Sequence, residues 1–318
     1  MLQIKGFDFL LTFKCTAACQ HCSYKAGPDK TGYITKDDIK RYLTELSDTQ
    51  SLHSITIHGG EPFIYFDQLK FVLEKAKELN ISQRGVITNS FWAKTEEIAL
   101  KKLIQLKDAG LTRITFSADG FHQEFVSLLN VKNAIQSAVE IGIEKIWVDS
   151  YYLGGYNFAN PYNKSTKKII EDLKGIFTVE FNQYIASFEG RGANLTKSVK
   201  LRSYLPSGKC PLPFWIGGDL QSPTTVEIDY QGNVTLCPGI SIGNTRNQSL
   251  IDIIQNYNCD KHPILSLIAD EGPKGILKLA RKHGFTEDLF YNECHLCYST
   301  RKFLVPFYPQ YLAPTTCY

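Results

Sequence analysis

The chain has 318 residues, 43% of them hydrophobic, with 35 basic and 32 acidic side chains and a formal net charge of +3. That is enough apolar material for one large or two ordinary cores, and the near balance of charge, with no run of about five like charges, gives nucleic acid as a main partner no support. The N-terminus lacks a basic region followed by a long apolar core, and no apolar run approaches the roughly 20 residues of a membrane span, so we expect a cytoplasmic protein.

In chain order, an apolar run over 7–13 predicts a first β-strand, followed at once by Lys14-Cys15-Thr16-Ala17-Ala18-Cys19-Gln20-His21-Cys22. Three thiolates from one short loop can fill three corners of a four-iron cubane and leave the fourth iron open to a ligand that is not protein. Structural zinc and reduced core thiols are the bland alternatives. A helix over 36–46, with Thr35 as its N-cap, leads to a second strand over 53–58 that runs into Gly59-Gly60-Glu61-Pro62. Helices over 66–78, 96–109 and 131–141, the last two stopped by Gly110 and Gly142, alternate with strands over 84–88, 112–117, 144–150 and 177–184. Six β/α units in series imply a parallel sheet with helices outside.

In such folds, chemistry gathers at the C-terminal ends of the strands. Asn89 follows the third strand, and Ser117, Asp119 and His122 end the fourth. Asp119 either touches a bound ligand or caps the following helix. His122 is a surface histidine, a partner of Asp119 or an acid–base group. After the sixth strand comes Phe188-Glu189-Gly190-Arg191-Gly192-Ala193, whose arginine can pair with a carboxylate through two parallel bonds.

Periodicity fades over 194–209, which we take as a link, giving domains of 1–193 and 194–318. The second contains a hairpin over 226–237 around Gln-Gly-Asn and four cysteines, Cys210, Cys237, Cys294 and Cys297, spaced C-x26-C-x56-C-x2-C. Four thiolates can hold a fully ligated iron–sulfur cluster or structural zinc. Nine cysteines in all, without a secretion signal, argue for metal or redox work rather than a disulfide framework. Cys259 and Cys317 are left over, as buried structural thiols or as hydrogen-atom donors. The aromatic, proline-rich tail over 303–314 is expected to pack on the fold.

Together, the C-x3-C-x2-C loop and the Gly-Gly-Glu-Pro turn resemble the radical S-adenosylmethionine (SAM) superfamily. The resemblance implies an α/β fold, a partial (β/α)6 TIM barrel with a small C-terminal α+β iron–sulfur auxiliary domain. It implies that Cys15, Cys19 and Cys22 hold a [4Fe-4S] cluster whose open iron chelates SAM. Gly59, Gly60, Glu61 and Pro62 would hold the SAM amino group, with Asn89, Ser117, Asp119 and Arg191 against the rest. The later four cysteines resemble those of the auxiliary twitch domain, a short form of the SPASM domain, which implies a second [4Fe-4S] cluster.

The segments Asn89 to Trp92 and Ser117 to His122 are similar to those of radical SAM peptide epimerases, in which a cysteine returns the hydrogen. Those enzymes carry two adjacent cysteines where this chain has Cys237-Pro238. Epimerisation therefore needs Cys259 or Cys317 to reach the site, and these two with His122 are the candidate catalytic residues.

The implied activity is reductive cleavage of SAM to a 5′-deoxyadenosyl radical, fed by a flavodoxin or ferredoxin. The first expectation is an oxidoreductase modifying a peptide or protein oxidatively or by cross-linking, as in the maturation of ribosomally made peptides (RiPPs). The second is a small-molecule dehydrogenase acting on a sugar or amino sugar, and the third a non-catalytic iron–sulfur carrier or SAM sensor. With only six residues ahead of the first strand, no fused leader-peptide domain is expected. The barrel mouth or a separate leader-peptide-binding protein would then capture a peptide.

Overall fold

A computed structural model describes residues 2–47, 51–199, 205–211 and 216–318. Lys200 and Arg202 of the expected link lie outside the described residues. The first part of the chain runs β1 (Gly6–Leu10), α1 (Lys36–Ser47), β2 (Ser54–His58), α2 (Phe66–Glu78), β3 (Gln83–Thr88), α3 (Glu96–Asp108), β4 (Arg113–Ser117), α4 (Leu128–Glu140), β5 (Lys145–Tyr152), α5 (Pro161–Lys174) and β6 (Glu180–Ile185). The rest runs β7 (Thr225–Asp229), β8 (Asn233–Cys237), β9 (Ile240–Asn244), α6 (Leu250–Gln255), α7 (Leu265–Glu271), α8 (Pro273–Lys282) and α9 (Glu293–Leu304).

The strands form one sheet in the order β6-β5-β4-β3-β2-β1-β7-β8-β9. The first six are parallel, as the alternating pattern implies, and the sheet is open like a partial barrel. The expected hairpin is present as β7 and β8, but β7 also lies parallel to β1, with Gly6 opposite Thr225. The later cysteine-bearing segment is therefore joined to the barrel through backbone hydrogen bonds.

Side chains alternate across each strand. On β1 and β2 the apolar set Phe7, Phe9, Ile55 and Ile57 is buried in the main core. The intervening Asp8, Thr56 and His58 face a cavity. The register sets Asp8 between Thr56 and Glu227, and Asp149 between Ser117 and Asn182, so two polar rows cross the inner wall.

Local sequence explains the helix ends. Thr35 accepts from the Asp38 amide at 3.2 Å and Thr95 from Ile98 at 3.2 Å, caps of about 1 kcal/mol each. Gly110 and Gly142 terminate α3 and α4 at positive φ, +111° and +67°. The expected strand over 7–13 ends at Leu10 because the chain then leaves the ladder to build the cysteine loop, and α4 begins at Leu128, where Ser127 caps it. The tail packs, as expected, with the Ser241 amide donating to the Tyr311 carbonyl at 2.9 Å and Leu312 fully buried.

Candidate functional site

The loop after β1 is closed at its base. The Gly27 amide donates to the Phe13 carbonyl and the Cys15 amide to the Gly27 carbonyl, each at 3.1 Å, so residues 15–27 form a fixed excursion at the strand end. Inside it, the Cys22 amide donates to the Cys19 carbonyl at 3.2 Å, and Cys15, Cys19 and Cys22 all border one cavity of about 640 Å³. No disulfide joins any of the nine cysteines, all of which lie among the described residues.

Arg191 braces this loop. Its Nε donates to the Cys19 carbonyl at 2.9 Å, another guanidinium nitrogen donates to the Ala26 carbonyl, and its amide donates to the Cys22 carbonyl at 3.0 Å. Gly190, at φ +57°, is needed for that approach, since a Cβ there would lie 2.3 Å from the Ser23 carbonyl oxygen. The arginine borders the cavity, yet two of its donors are spent on backbone.

The Gly59-Gly60 turn meets the same loop from β2. The Gly60 amide donates to the Thr12 carbonyl at 2.6 Å and the Glu61 amide to the Lys14 carbonyl at 2.9 Å. A Cβ on Gly60 would sit 2.1 Å from the Lys14 oxygen. Both glycines line the cavity. The Glu61 carboxylate turns away from it, fully buried, and accepts from the Phe63 amide at 3.1 Å, the Asn89 amide at 2.8 Å and the Thr88 hydroxyl at 2.9 Å. Burial pushes its pKa up to about 7 against the pull of these donors. Pro62 opens the short helical turn that follows.

Asn89 reaches the cysteines directly, with its Nδ2 3.6 Å from Cys15 Sγ and 3.3 Å from Thr16 Oγ1. Ser117 borders the cavity at the end of β4. Asp119 is fully buried and accepts from the amides of Phe121, His122 and Tyr151 and from His122 Nδ1 at 2.9 Å. Burial opposes its charge, but the two histidines and these donors outweigh that and hold its pKa below the usual carboxylate range. The His122 partnership is thus realised, whereas the expected helix cap is not, because Asp119 closes the turn directly after β4 and α4 begins nine residues on at Leu128 with Ser127 as its cap. His21 packs 4.5 Å from Phe121 and 5.1 Å from Tyr151, ring to ring, beside this pair.

Sequence reasoning missed the inner wall. His58 Nε2 lies 3.0 Å from Glu227, which also accepts from Tyr24 at 2.6 Å and Thr235 at 3.0 Å. Asp149 accepts from Asn182 at 3.0 Å. Alternation along β2 and β5 was the available signal.

The later cysteines also come together. Cys237 ends β8, while Cys294 lies in the first turn of α9 and Cys297 at the start of the second, after the Asn292 cap, where the helix N-terminus favours anionic sulfur. Burial raises the Cys237 and Cys294 thiol pKa values, and neighbouring Glu189, Cys297 and Cys210 raise them further. Ser23 pairs with Ser187 at 3.1 Å, and Ser187 donates to Glu189 at 3.0 Å. Glu189 in turn lies 4.0 Å from Cys237 Sγ, so a polar chain links the two cysteine sites.

Cys259 and Cys317 are both buried, and neither borders the cavity. Cys259 lies in the main core beside Tyr257, and Cys317 packs with Leu10 and Phe13.

For the first site, the donor set fits an iron–sulfur cluster. Burial pushes the Cys15 thiol up to about 12 and raises Cys19 as well, so bare thiolates are disfavoured until a cationic metal centre offsets them. Soft thiolate ligands suit that centre.

Residues 9–161 match the family described as the Radical SAM superfamily. Among relatives, a Bacillus subtilis protein provisionally named for peptide biosynthesis, YydG, is 22% identical over 311 residues, covering 92% of this chain and 91% of its own. The GTP 3′,8-cyclase of Listeria monocytogenes is 27% identical over 157 residues, covering 46% of this chain and 45% of its own. Among solved structures, that of histidine-tagged anSMEcpe with bound AdoMet superposes with a TM-score of 0.50 at 12% identity, covering 98% of each chain, a likeness of fold.

Proposed function

The chain carries a Radical SAM superfamily domain, and from that premise we propose that it abstracts hydrogen from a peptide or protein substrate bound at the open end of the barrel. Cys15, Cys19 and Cys22 would hold the [4Fe-4S] cluster. When bound, the cluster supplies the electron that splits SAM into methionine and a 5′-deoxyadenosyl radical. Gly59 and Gly60 would offer backbone to the SAM amino group, and Asn89 and Ser117 would contact its remaining polar edges. Arg191 and Glu61 act one step back, holding the loop and the Thr88-Asn89 turn in place.

The observation that carries this reading is the single cavity shared by three thiols, the Gly-Gly turn and the ends of β3 and β4. The relative named for peptide biosynthesis, matched along nearly its whole length, supports a peptide substrate. We further propose that Cys210, Cys237, Cys294 and Cys297 hold a second [4Fe-4S] cluster that takes the electron from the substrate radical, so that the outcome is an oxidation or a cross-link. A flavodoxin or ferredoxin would reduce the first cluster.

A sugar or amino-sugar dehydrogenase is the second reading, favoured by the polar inner wall of Asp8, His58, Asp149 and Asn182. The test is anaerobic incubation of reconstituted protein with SAM and dithionite. 5′-Deoxyadenosine is expected, and its absence overturns the proposal. Mass spectrometry with genomically adjacent small peptides, and separately with amino-sugar alcohols, then separates the substrate readings by which one loses two hydrogens.

A further inference from the structure

Arg301 is the largest fully buried side chain among the described residues, at 1% exposure, and it lies near Cys237 and Cys297. On α9 it follows Cys294 by seven residues and Cys297 by four, which puts all three on one face of the helix. One guanidinium nitrogen donates to the Pro238 carbonyl at 2.8 Å and the Tyr318 hydroxyl at 2.9 Å, and a second reaches Glu189 at 3.4 Å. Its positive charge favours the Cys297 thiolate, opposing the rise that burial imposes on that thiol. Its Nε has no partner.

A buried guanidinium is costly unless anionic charge offsets it. Glu189, at 3.4 Å and shared with Cys237 and Ser187, is a weak counter-charge. The Pro238 carbonyl and the Tyr318 hydroxyl are neutral acceptors, and the other groups whose negative charge acts on the cation include Cys297 and Cys237. A four-iron cluster on four thiolates is a dianion when oxidised and gains one further negative charge on reduction. Net charge and hydrogen bonds to the sulfurs set the potential of such centres.

We infer that Arg301 is a positioning residue that raises the reduction potential of the later cysteine site, making it an electron acceptor, and that Glu189 acts in the opposite sense. This rests on the proposal that Cys210, Cys237, Cys294 and Cys297 hold a [4Fe-4S] cluster. Arg301 borders the cysteines rather than the substrate cavity, so its effect is on electron affinity and not on substrate contact. Pro238, which accepts from Arg301, does border that cavity, which places the tuned site beside the bound substrate.

The experiment uses the full chain with Cys15→Ala, Cys19→Ala and Cys22→Ala, reconstituted anaerobically, so that only the later site can hold iron. Iron content tests the underlying proposal, and a parent holding no four-iron centre overturns that proposal. If the parent holds it, dithionite titration followed by electron paramagnetic resonance in alkaline buffer tests the inference. R301Q is expected to lower the midpoint by at least a tenfold change in the oxidised-to-reduced ratio, which is 59 mV for one electron. R301K is expected to recover most of it, and E189Q to move the midpoint upward. A general loosening of the site would not give opposite signs. Midpoints that coincide, or that shift in one direction for both R301K and E189Q, overturn the inference, as does loss of iron from both. If R301Q alone loses iron, R301K and E189Q decide by their signs.

Discussion

The two cysteine sites are built by different means. The first is local, with three thiols inside one loop whose base is closed by pairing of Phe13 and Cys15 with Gly27, whose entry is held by the Gly60 and Glu61 amides on the Thr12 and Lys14 carbonyls, and whose own carbonyls are held by the Arg191 amide and guanidinium. The second, as proposed, draws on Cys210, the end of β8 and the first two turns of α9, beside a buried Glu189–Arg301 pair. Backbone thus fixes the first, and side-chain charge is built into the second. A local loop can present an open coordination position without unfolding anything else. Four thiolates on one cluster would leave no open iron, which suits a centre that exchanges electrons only.

The largest effect that follows is loss of the first site alone. Cys19→Ala should abolish 5′-deoxyadenosine formation to background while leaving roughly half of the iron, about one four-iron cluster per chain. Complete loss of iron would mean that the sites do not assemble independently. The converse variant, Cys297→Ala, should retain SAM cleavage and lose the modified product, read by 5′-deoxyadenosine and product yield in the same reaction. If both yields vanish together, the comparison between an initiating and an accepting site fails.

Next in size is a backbone test of the first site. Gly60→Ala would place a methyl 2.1 Å from the Lys14 carbonyl oxygen, contact with backbone that no side-chain rotation relieves. Overpacking of this kind costs about 1–3 kcal/mol. The expected result is a lower melting temperature and weakened iron binding at the first site, with the later site's iron unchanged. An unaltered first site would show that the turn can shift away and that the Gly-Gly backbone does not hold the loop.

The same contrast explains how much was legible in the sequence. Cys15, Cys19 and Cys22 lie within one turn of chain, so their convergence followed from spacing alone, and Gly59 and Gly60 followed from their position at a strand end. Asp119 was open between touching a ligand and capping the next helix because one carboxylate beside a strand end can serve either; its four donors come from Phe121, His122 and Tyr151, and the helix is capped by Ser127 instead. Glu61 and Arg191 were expected against the ligand, but their charged groups mainly hold neighbouring backbone and Thr88. Arg301 was invisible, since its partner Glu189 is 112 residues away and α9 was not anticipated, although Asn292 and Glu293 mark its start. Pairing of β7 with β1 was likewise beyond a local pattern, because the register between Gly6 and Thr225 is set by tertiary packing.

The smallest expected effect concerns the polar wall that neither cysteine site explains. Asp8 is half-buried against the cavity, and burial raises its pKa from 3.8 to about 6, with His58 and Arg113 opposing and Glu227 reinforcing the rise. Its folded-state pKa therefore exceeds the unfolded one. Between the two values the native chain holds a proton that the unfolded chain has lost, so this group's contribution makes stability fall as pH rises from about 4 to about 6. Above that window the penalty is complete. Asp8→Asn removes the titration without removing the polar contact to Thr56, and melting curves of metal-free protein across the window should show a shallower decline in the variant. The difference between the two curves isolates Asp8 from Glu61 and Asp229, which burial shifts in the same direction. Parallel curves would mean that His58 and Arg113 neutralise Asp8 fully, and the wall would then present no uncompensated acid to a bound substrate.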